Sequence, residues 1–182
     1  MRSPSPIEFA RRLQILVLAT SCLAATPLAA QDEQPEQGPE QDVQVYQDWR
    51  VRCESGNESQ QRCIMFQNLV YQDSGQTVLS IQIGRNTATE RPAAVFIVPL
   101  GVILPPGVSM EIDGGSRTKI DYQQCNRQSC IAPLPLNDTL LGTMKRGLEA
   151  QVTFHAVVQG SRRPITVPVS LKGFTAALNR IR

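Results

Sequence analysis

Apolar and charged or polar side chains alternate along Trp49-Arg50-Val51-Arg52-Cys53, again along Ser80-Ile81-Gln82-Ile83, and again along Val152-Thr153-Phe154-His155-Ala156. A period of two sends successive side chains to opposite faces, so each stretch predicts a strand with one buried face. The continuous apolar run from Ala93 to Leu100 predicts a strand buried on both faces. Turn signals fall between the runs at Ser55-Gly56-Asn57, Asp73-Ser74-Gly75, Pro105-Pro106-Gly107, Asp113-Gly114-Gly115 and Gln159-Gly160-Ser161. Short strands punctuated in this way predict an all-β chain folded as a sandwich or barrel.

Two segments depart from that period. The stretch from Asp138 to Gly147 combines an N-cap candidate, Lys145 and Arg146 in its last turn and a closing glycine, the ingredients of a short helix. From Gly173 to Ile181, residues Phe174, Ala177, Leu178 and Ile181 recur at i, i+3, i+4 and i+7. They share one helical face, which would dock on the sandwich.

The N-terminus follows a different logic. Arg11 and Arg12 precede an apolar run, Leu13 to Ala25, and small residues follow at Ala29 and Ala30. That order is the one of a secretory signal peptide over residues 1–30. The run of about 13 residues falls short of the roughly 20 that a spanning helix needs, and no later stretch reaches that length. A lipoprotein reading, with Cys22 acylated after Ala19-Thr20-Ser21, fits poorly because the residue three places before the cysteine is not a larger aliphatic one.

Charge then redistributes. The whole chain carries 18 basic and 16 acidic residues, and removing Arg2, Arg11, Arg12 and Glu8 with the signal leaves 15 of each sign. Residues 31–44 form an acidic spacer rich in Gln and Pro, in which Asp32, Glu33, Glu36, Glu40 and Asp42 meet no base. With almost nothing apolar to bury, such a segment reads as disordered. Residues 45–182 then form one domain, large enough to bury a core of its own.

Setting Cys22 aside leaves Cys53, Cys63, Cys125 and Cys130, an even set behind an export signal, which reads as a disulfide framework. Four cysteines allow three connectivities. Cys53 closes one predicted strand and Cys63 opens the next, while Cys125 and Cys130 flank the polar Asn126-Arg127-Gln128-Ser129, so local pairing across two hairpin necks is the expectation. The intervals match no zinc knuckle in both halves, and no Cys-x-x-Cys is present for thiol exchange.

Catalytic signals are sparse. His155 is the only histidine, and alternation places it on the solvent face of its strand. None of the serine-hydrolase elbow, zincin, P-loop or dinucleotide-binding patterns occurs. Glu111 and Asp113 could form a carboxylate pair, but Asp113 stands at an Asp-Gly-Gly turn, where a hairpin role is commoner. The reading is a protein that is not an enzyme and takes no cofactor or metal. Beyond the signal segment, arginines and lysines are scattered, with Lys145-Arg146 and Arg162-Arg163 the only doublets, which argues against nucleic acid and allows acidic glycans, lipid headgroups or a protein as partners.

Four segments in order carry a resemblance. Trp49-Arg50-Val51-Arg52-Cys53, Gln61-Arg62-Cys63-Ile64-Met65, Val98-Pro99-Leu100-Gly101-Val102-Ile103-Leu104-Pro105-Pro106-Gly107 with the Cys125 to Cys130 pair, and Leu171-Lys172-Gly173-Phe174-Thr175-Ala176-Ala177 together resemble the invasion-associated locus B family of exported alphaproteobacterial proteins. The likeness runs from about Val45 to Ile181 and leaves out the acidic spacer. It implies an immunoglobulin-like β-sandwich with one or two short helices, in the periplasm, outer envelope or secreted fraction, with no catalytic residues to carry over.

Within those segments, Trp49 is expected as a core anchor beside the Cys53 to Cys63 bridge, with ligand stacking the alternative. Pro99 and Leu104-Pro105-Pro106-Gly107 are expected to cross between sheets, because proline cannot join a central ladder. As a binding loop, that apolar stretch would suit a protein partner. Three functions follow: an exported binding protein with an envelope or host-surface partner, a structural envelope-integrity factor, and a hydrolase built on a carboxylate pair.

Overall fold

The computed structural model describes residues 43–54 and 62–181. The expected signal peptide, Cys22 and most of the acidic spacer lie outside them, as do residues 55–61 between Cys53 and Cys63. Strand β1 (Val43–Tyr46) begins two residues ahead of the boundary at Val45 read from the sequence.

Among the described residues, eleven strands and two helices follow in order. They are β1, β2 (Trp49–Cys53), β3 (Cys63–Val70), β4 (Thr77–Arg85), β5 (Pro92–Pro99), β6 (Val108–Ile112), β7 (Thr118–Ile120), β8 (Gln124–Cys125), β9 (Ser129–Pro135), α1 (Asp138–Arg146), β10 (Glu149–Val158), β11 (Ser161–Ser170) and α2 (Phe174–Arg180). Two antiparallel sheets result, one of seven strands in the order β1-β2-β3-β4-β5-β9-β8 and one of four in the order β11-β10-β6-β7. The fold is an immunoglobulin-like β-sandwich in having two facing antiparallel sheets, and its larger sheet is laid down as a meander of five consecutive strands.

One core lies between the sheets. The inward row of the large sheet includes Trp49, Val51, Met65, Ile81, Ile83, Phe96 and Ala132, and the small sheet answers with Met110, Val152, Phe154, Val167 and Val169. Register holds the rows in place: Val51 pairs with Met65, Met65 with Ile83 and Ile83 with Ala94, so a slip of one residue would turn the whole apolar set outward.

Two expectations are corrected by packing. Strand β5 buries Ala94, Phe96 and Val98, while Ala93, Val95 and Ile97 on its other face are half-buried, because among the described residues no second layer covers that face. An apolar run marks two buried faces only when something packs on both. Strand β4 shows the converse, with Val78, Leu79, Ser80 and Ile81 all buried, and Ser80 is accommodated by donating to the Asn68 side chain at 2.7 Å.

Prolines fall where a missing N–H costs little. Pro164 and Pro168 sit on the edge strand β11, and the chain from Pro99 to Val108 crosses from the large sheet to the small one. Pro133 and Pro135 lie in β9 beyond the two residues that β8 pairs with.

The helices close the sandwich. Asn137 caps α1 by accepting from the Leu140 N–H at 2.8 Å, and Asp138 stands in the first turn. Gly147 ends α1 at φ −74°, so a left-handed cap is not why glycine is there; a Cβ at this point would lie 2.7 Å from Ile112 and 2.9 Å from Leu171. Helix α2 buries Phe174, Ala177 and Leu178, and Ile181 follows on the same face. Gly173 starts it at φ 84°, with its backbone so close to the Tyr46 carbonyl that a Cβ would collide.

Candidate functional site

Trp49 is fully buried on the inward face of β2. Its ring meets Phe174 of α2 edge to face, with centroids 5.4 Å apart at 76°. Its indole N–H donates to the Ser170 carbonyl at 3.0 Å. Both faces of the ring are therefore enclosed by protein, which leaves no surface for a stacked ligand. The Cys53 to Cys63 bridge lies four residues further along β2, roughly 13 Å away, so Trp49 packs against α2 and not beside the bridge. Helix α2 spans the interval, with Phe174 at the tryptophan and the Arg180 guanidinium 3.7 Å from Cys63 Sγ.

Around Trp49 the two sheets are pinned by a polar node. Gln67, an inward residue of β3, also donates to the Ser170 carbonyl, at 2.6 Å, and the Ser170 hydroxyl donates to Asp48 at 2.6 Å. Satisfying two buried donors on one carbonyl holds the end of β11 against β2 and β3. Sequence reasoning did not single out Gln67 or Ser170. The signal was available for Gln67: it interrupts the inward series Met65, Gln67, Leu69 with an amide. An adjoining cleft of about 380 Å³ is lined by Asp48, Arg50, Phe66, Gln67 and Ser170 among others. Its one carboxylate, Asp48, accepts from the Ser170 hydroxyl.

The four cysteines of the described residues sit in two bonded pairs. Cys53 and Cys63 are directly opposite in the β2–β3 ladder with Cα atoms 4.0 Å apart, and the neck continues through the Glu54 N–H donating to the Arg62 carbonyl. Cys125 and Cys130 are opposite in the β8–β9 hairpin, also 4.0 Å apart. There the Asn126 side chain accepts from the N–H groups of Gln128 and Ser129, shaping the turn that the bridge closes.

The remaining candidates are dispersed. Glu111 is paired with Arg117 at 3.1 Å. Asp113, at φ 47° in the turn after β6, accepts from the N–H groups of Leu148 and Glu149. Each carboxylate is thus engaged elsewhere, and the two form no acid pair. His155 is half-buried opposite Pro164, and its Nδ1 is shielded without a protein partner. Among the described residues no group of three or more His, Cys, Asp or Glu side chains is placed to hold a metal ion. Nor is any helix among them long and apolar enough to cross a membrane. Burial pushes the Tyr122 phenol up from 10.0 to about 12, and its hydroxyl is buried without a protein hydrogen bond.

These features define a disulfide-bridged β-sandwich of two antiparallel sheets closed by two short helices. The chain belongs to the family described as invasion associated locus B (IalB) protein, whose profile matches residues 49–182. It is similar to an invasion protein B homolog of Brucella abortus (strain 2308), 33% identical over 139 residues that make up 76% of this chain and 78% of that protein. A homolog from Brucella abortus biovar 1 (strain 9-941) matches with the same figures. The crystal structure of invasion associated protein b from Bartonella henselae superposes with a TM-score of 0.66 at 21% identity, covering 77% of this chain and 94% of that one. At that identity the last comparison speaks for the fold.

Proposed function

We propose that this is an exported, non-enzymatic envelope or surface protein that acts by binding a protein or an envelope or host-surface partner, in host-cell association where the organism has a host. The observation that carries the reading is the pair of hairpin-neck disulfides in a domain preceded by a signal-type segment, because such bridges persist in oxidising compartments outside the cytosol. The names of the Brucella relatives support the host-directed part. Residues 1–30 act as the signal peptide, residues 31–42 as the spacer up to the edge strand that starts at Val43, and the domain carries the binding surface. Cys53–Cys63 and Cys125–Cys130 serve as loop clasps and Trp49 as a core anchor.

Cross-linking on intact cells followed by affinity capture tests this reading, alongside protease accessibility of the protein and a deletion strain. Surface exposure with a captured partner, and reduced host association without an envelope defect, is the expected outcome. Envelope sensitivity in the deletion strain with no surface exposure would replace binding by an envelope-integrity role.

A further inference from the structure

Large exposed apolar side chains are unevenly distributed over the fold. Leu100 and Leu104 on the crossover loop and Val157 and Val158 at the tip of the β10–β11 hairpin are 38–56% exposed. Backbone pairing brings the two segments together: Val102 bridges Ala156, the Val157 N–H donates to the Gly101 carbonyl, and the Ile103 N–H donates to the His155 carbonyl. Val70 and Tyr71, both about half exposed, end β3 at the same level, because Leu69 pairs with Leu79 and Ser80 with Ile97. Most of the exposed apolar bulk of the described residues thus collects at one end.

Cations sit just behind these tips. Arg162 is directly opposite Val157 and Arg163 opposite Ala156 in the hairpin ladder. Arg127 lies in the β8–β9 turn, and Ser129 at the close of that turn pairs with Pro99. None of the three arginines is in an ion pair among the described residues, whereas the nearby Lys119 is paired with Asp121 at 2.9 Å. Neither residues 99–110 nor residues 156–163 contain an acid, and among the described residues Asp73, in the β3–β4 turn, joins Asp121 at this end.

We propose that this end of the sandwich enters the interface of an anionic lipid bilayer, with the Leu100, Val157 and Val158 side chains at the acyl boundary and the arginines on lipid phosphates. The exposed tips come from separate segments that contain no acid and stand beside arginines without an ion pair among the described residues, a charge pattern that complements a layer of lipid phosphates. Apolar insertion combined with basic attraction is the chemistry of interfacial binding, and arginine can hold phosphate in a bidentate manner while its stem stays with the apolar tip. The segment 31–42 is excluded as the occupant because it has no large apolar side chain. The inference rests on export, which the mass of the purified mature protein reads independently.

The test is co-sedimentation of the protein, purified after export, with vesicles of phosphatidylethanolamine and phosphatidylglycerol against vesicles of phosphatidylcholine. Binding to the anionic vesicles that weakens with salt is expected. Each arginine at an anionic surface is worth roughly fivefold in partition, so the triple variant Arg127→Gln, Arg162→Gln, Arg163→Gln should lose more than about tenfold. Leu100→Ser with Val157→Ser should lose binding comparably. Leu148→Ser and the pair Lys145→Gln, Arg146→Gln, which lie at the other end of the ten-residue β10, about 30 Å away, should leave it unchanged. All these positions except the Lys145–Arg146 pair are surface loop or hairpin sites, and thermal melts verify that every variant folds. Absence of anionic-vesicle binding in the wild type overturns the proposal, as does equal binding by the tip and control variants or cross-linking of the tip to a protein in place of lipid.

Discussion

Trp49 does two jobs that substitution can separate. Its ring fills the space against Phe174 and its N–H satisfies the Ser170 carbonyl, which Gln67 also supplies. Because the carbonyl keeps one donor, Trp49→Phe should cost only about 1–2 kcal/mol, while Trp49→Ala should cost about 3–5 kcal/mol from lost burial and the cavity. Denaturant unfolding checks this, and equal losses would mean that the hydrogen bond, not the ring, dominates. Tyr122 gives a pH test. Its phenol titrates near 12 in the folded state against 10.0 in the open chain, so folding favours the protonated form. Stability from this group is complete below pH 10 and is lost as pH rises toward 12. Tyr122→Phe should flatten that alkaline fall and, because the hydroxyl has no protein hydrogen bond, leave stability at neutral pH little changed, as urea midpoints across the pH range would show.

At the scale of elements, the bridges close loops of 10 and 5 residues of sequence separation. Chain entropy assigns roughly 2–3 kcal/mol to loops of this size, small beside the burial of the whole core. Replacing Cys53 and Cys63 by serine, or Cys125 and Cys130, should therefore leave a folded sandwich that melts at lower temperature, and calorimetry of the two double variants would detect it. Collapse of either would indicate that the bridge is needed for folding itself. Elements were legible to different degrees. The strand at Trp49 and the face of α2 could be read because their periods match their surroundings. The extent of burial on β5 could not, since a run of alanine, valine and isoleucine is the same string whether a second layer covers it or not. The close of α1 was misleading for a related reason: glycine at position 147 looks like a left-handed cap, but it is there for the approach of Ile112 and Leu171.

At the scale of the molecule, α2 joins parts that are far apart in the chain. Phe174 covers Trp49, Gly173 abuts Tyr46, and Arg180 donates to Gln44 at 3.1 Å and reaches Cys63. Removing residues 173–182 would uncover the inward end of β2 and part of β3. The truncated chain should lose its cooperative thermal transition and bind a hydrophobic dye, whereas an undiminished transition would show that the two sheets hold without this lid. The arrangement also explains why the candidate site was only partly readable. Cysteine pairing across hairpin necks depends on neighbours along the chain, but the Gln67–Ser170 contact joins residues 103 positions apart, and the Glu111–Asp113 pair dissolves because each finds a partner on another segment.

What the sequence alone determined is local: strand and helix periods, the hairpin necks, the turn residues and the apolar character of the crossover, all of which follow from dihedral preference and side-chain spacing. Only the tertiary structure decided which apolar faces are covered, that Trp49 rests on α2, and that two separate segments carry their exposed leucine and valine side chains to one end beside three arginines. Those outcomes depend on the packing of segments remote in sequence, and no local pattern encodes the layer that will or will not lie above it.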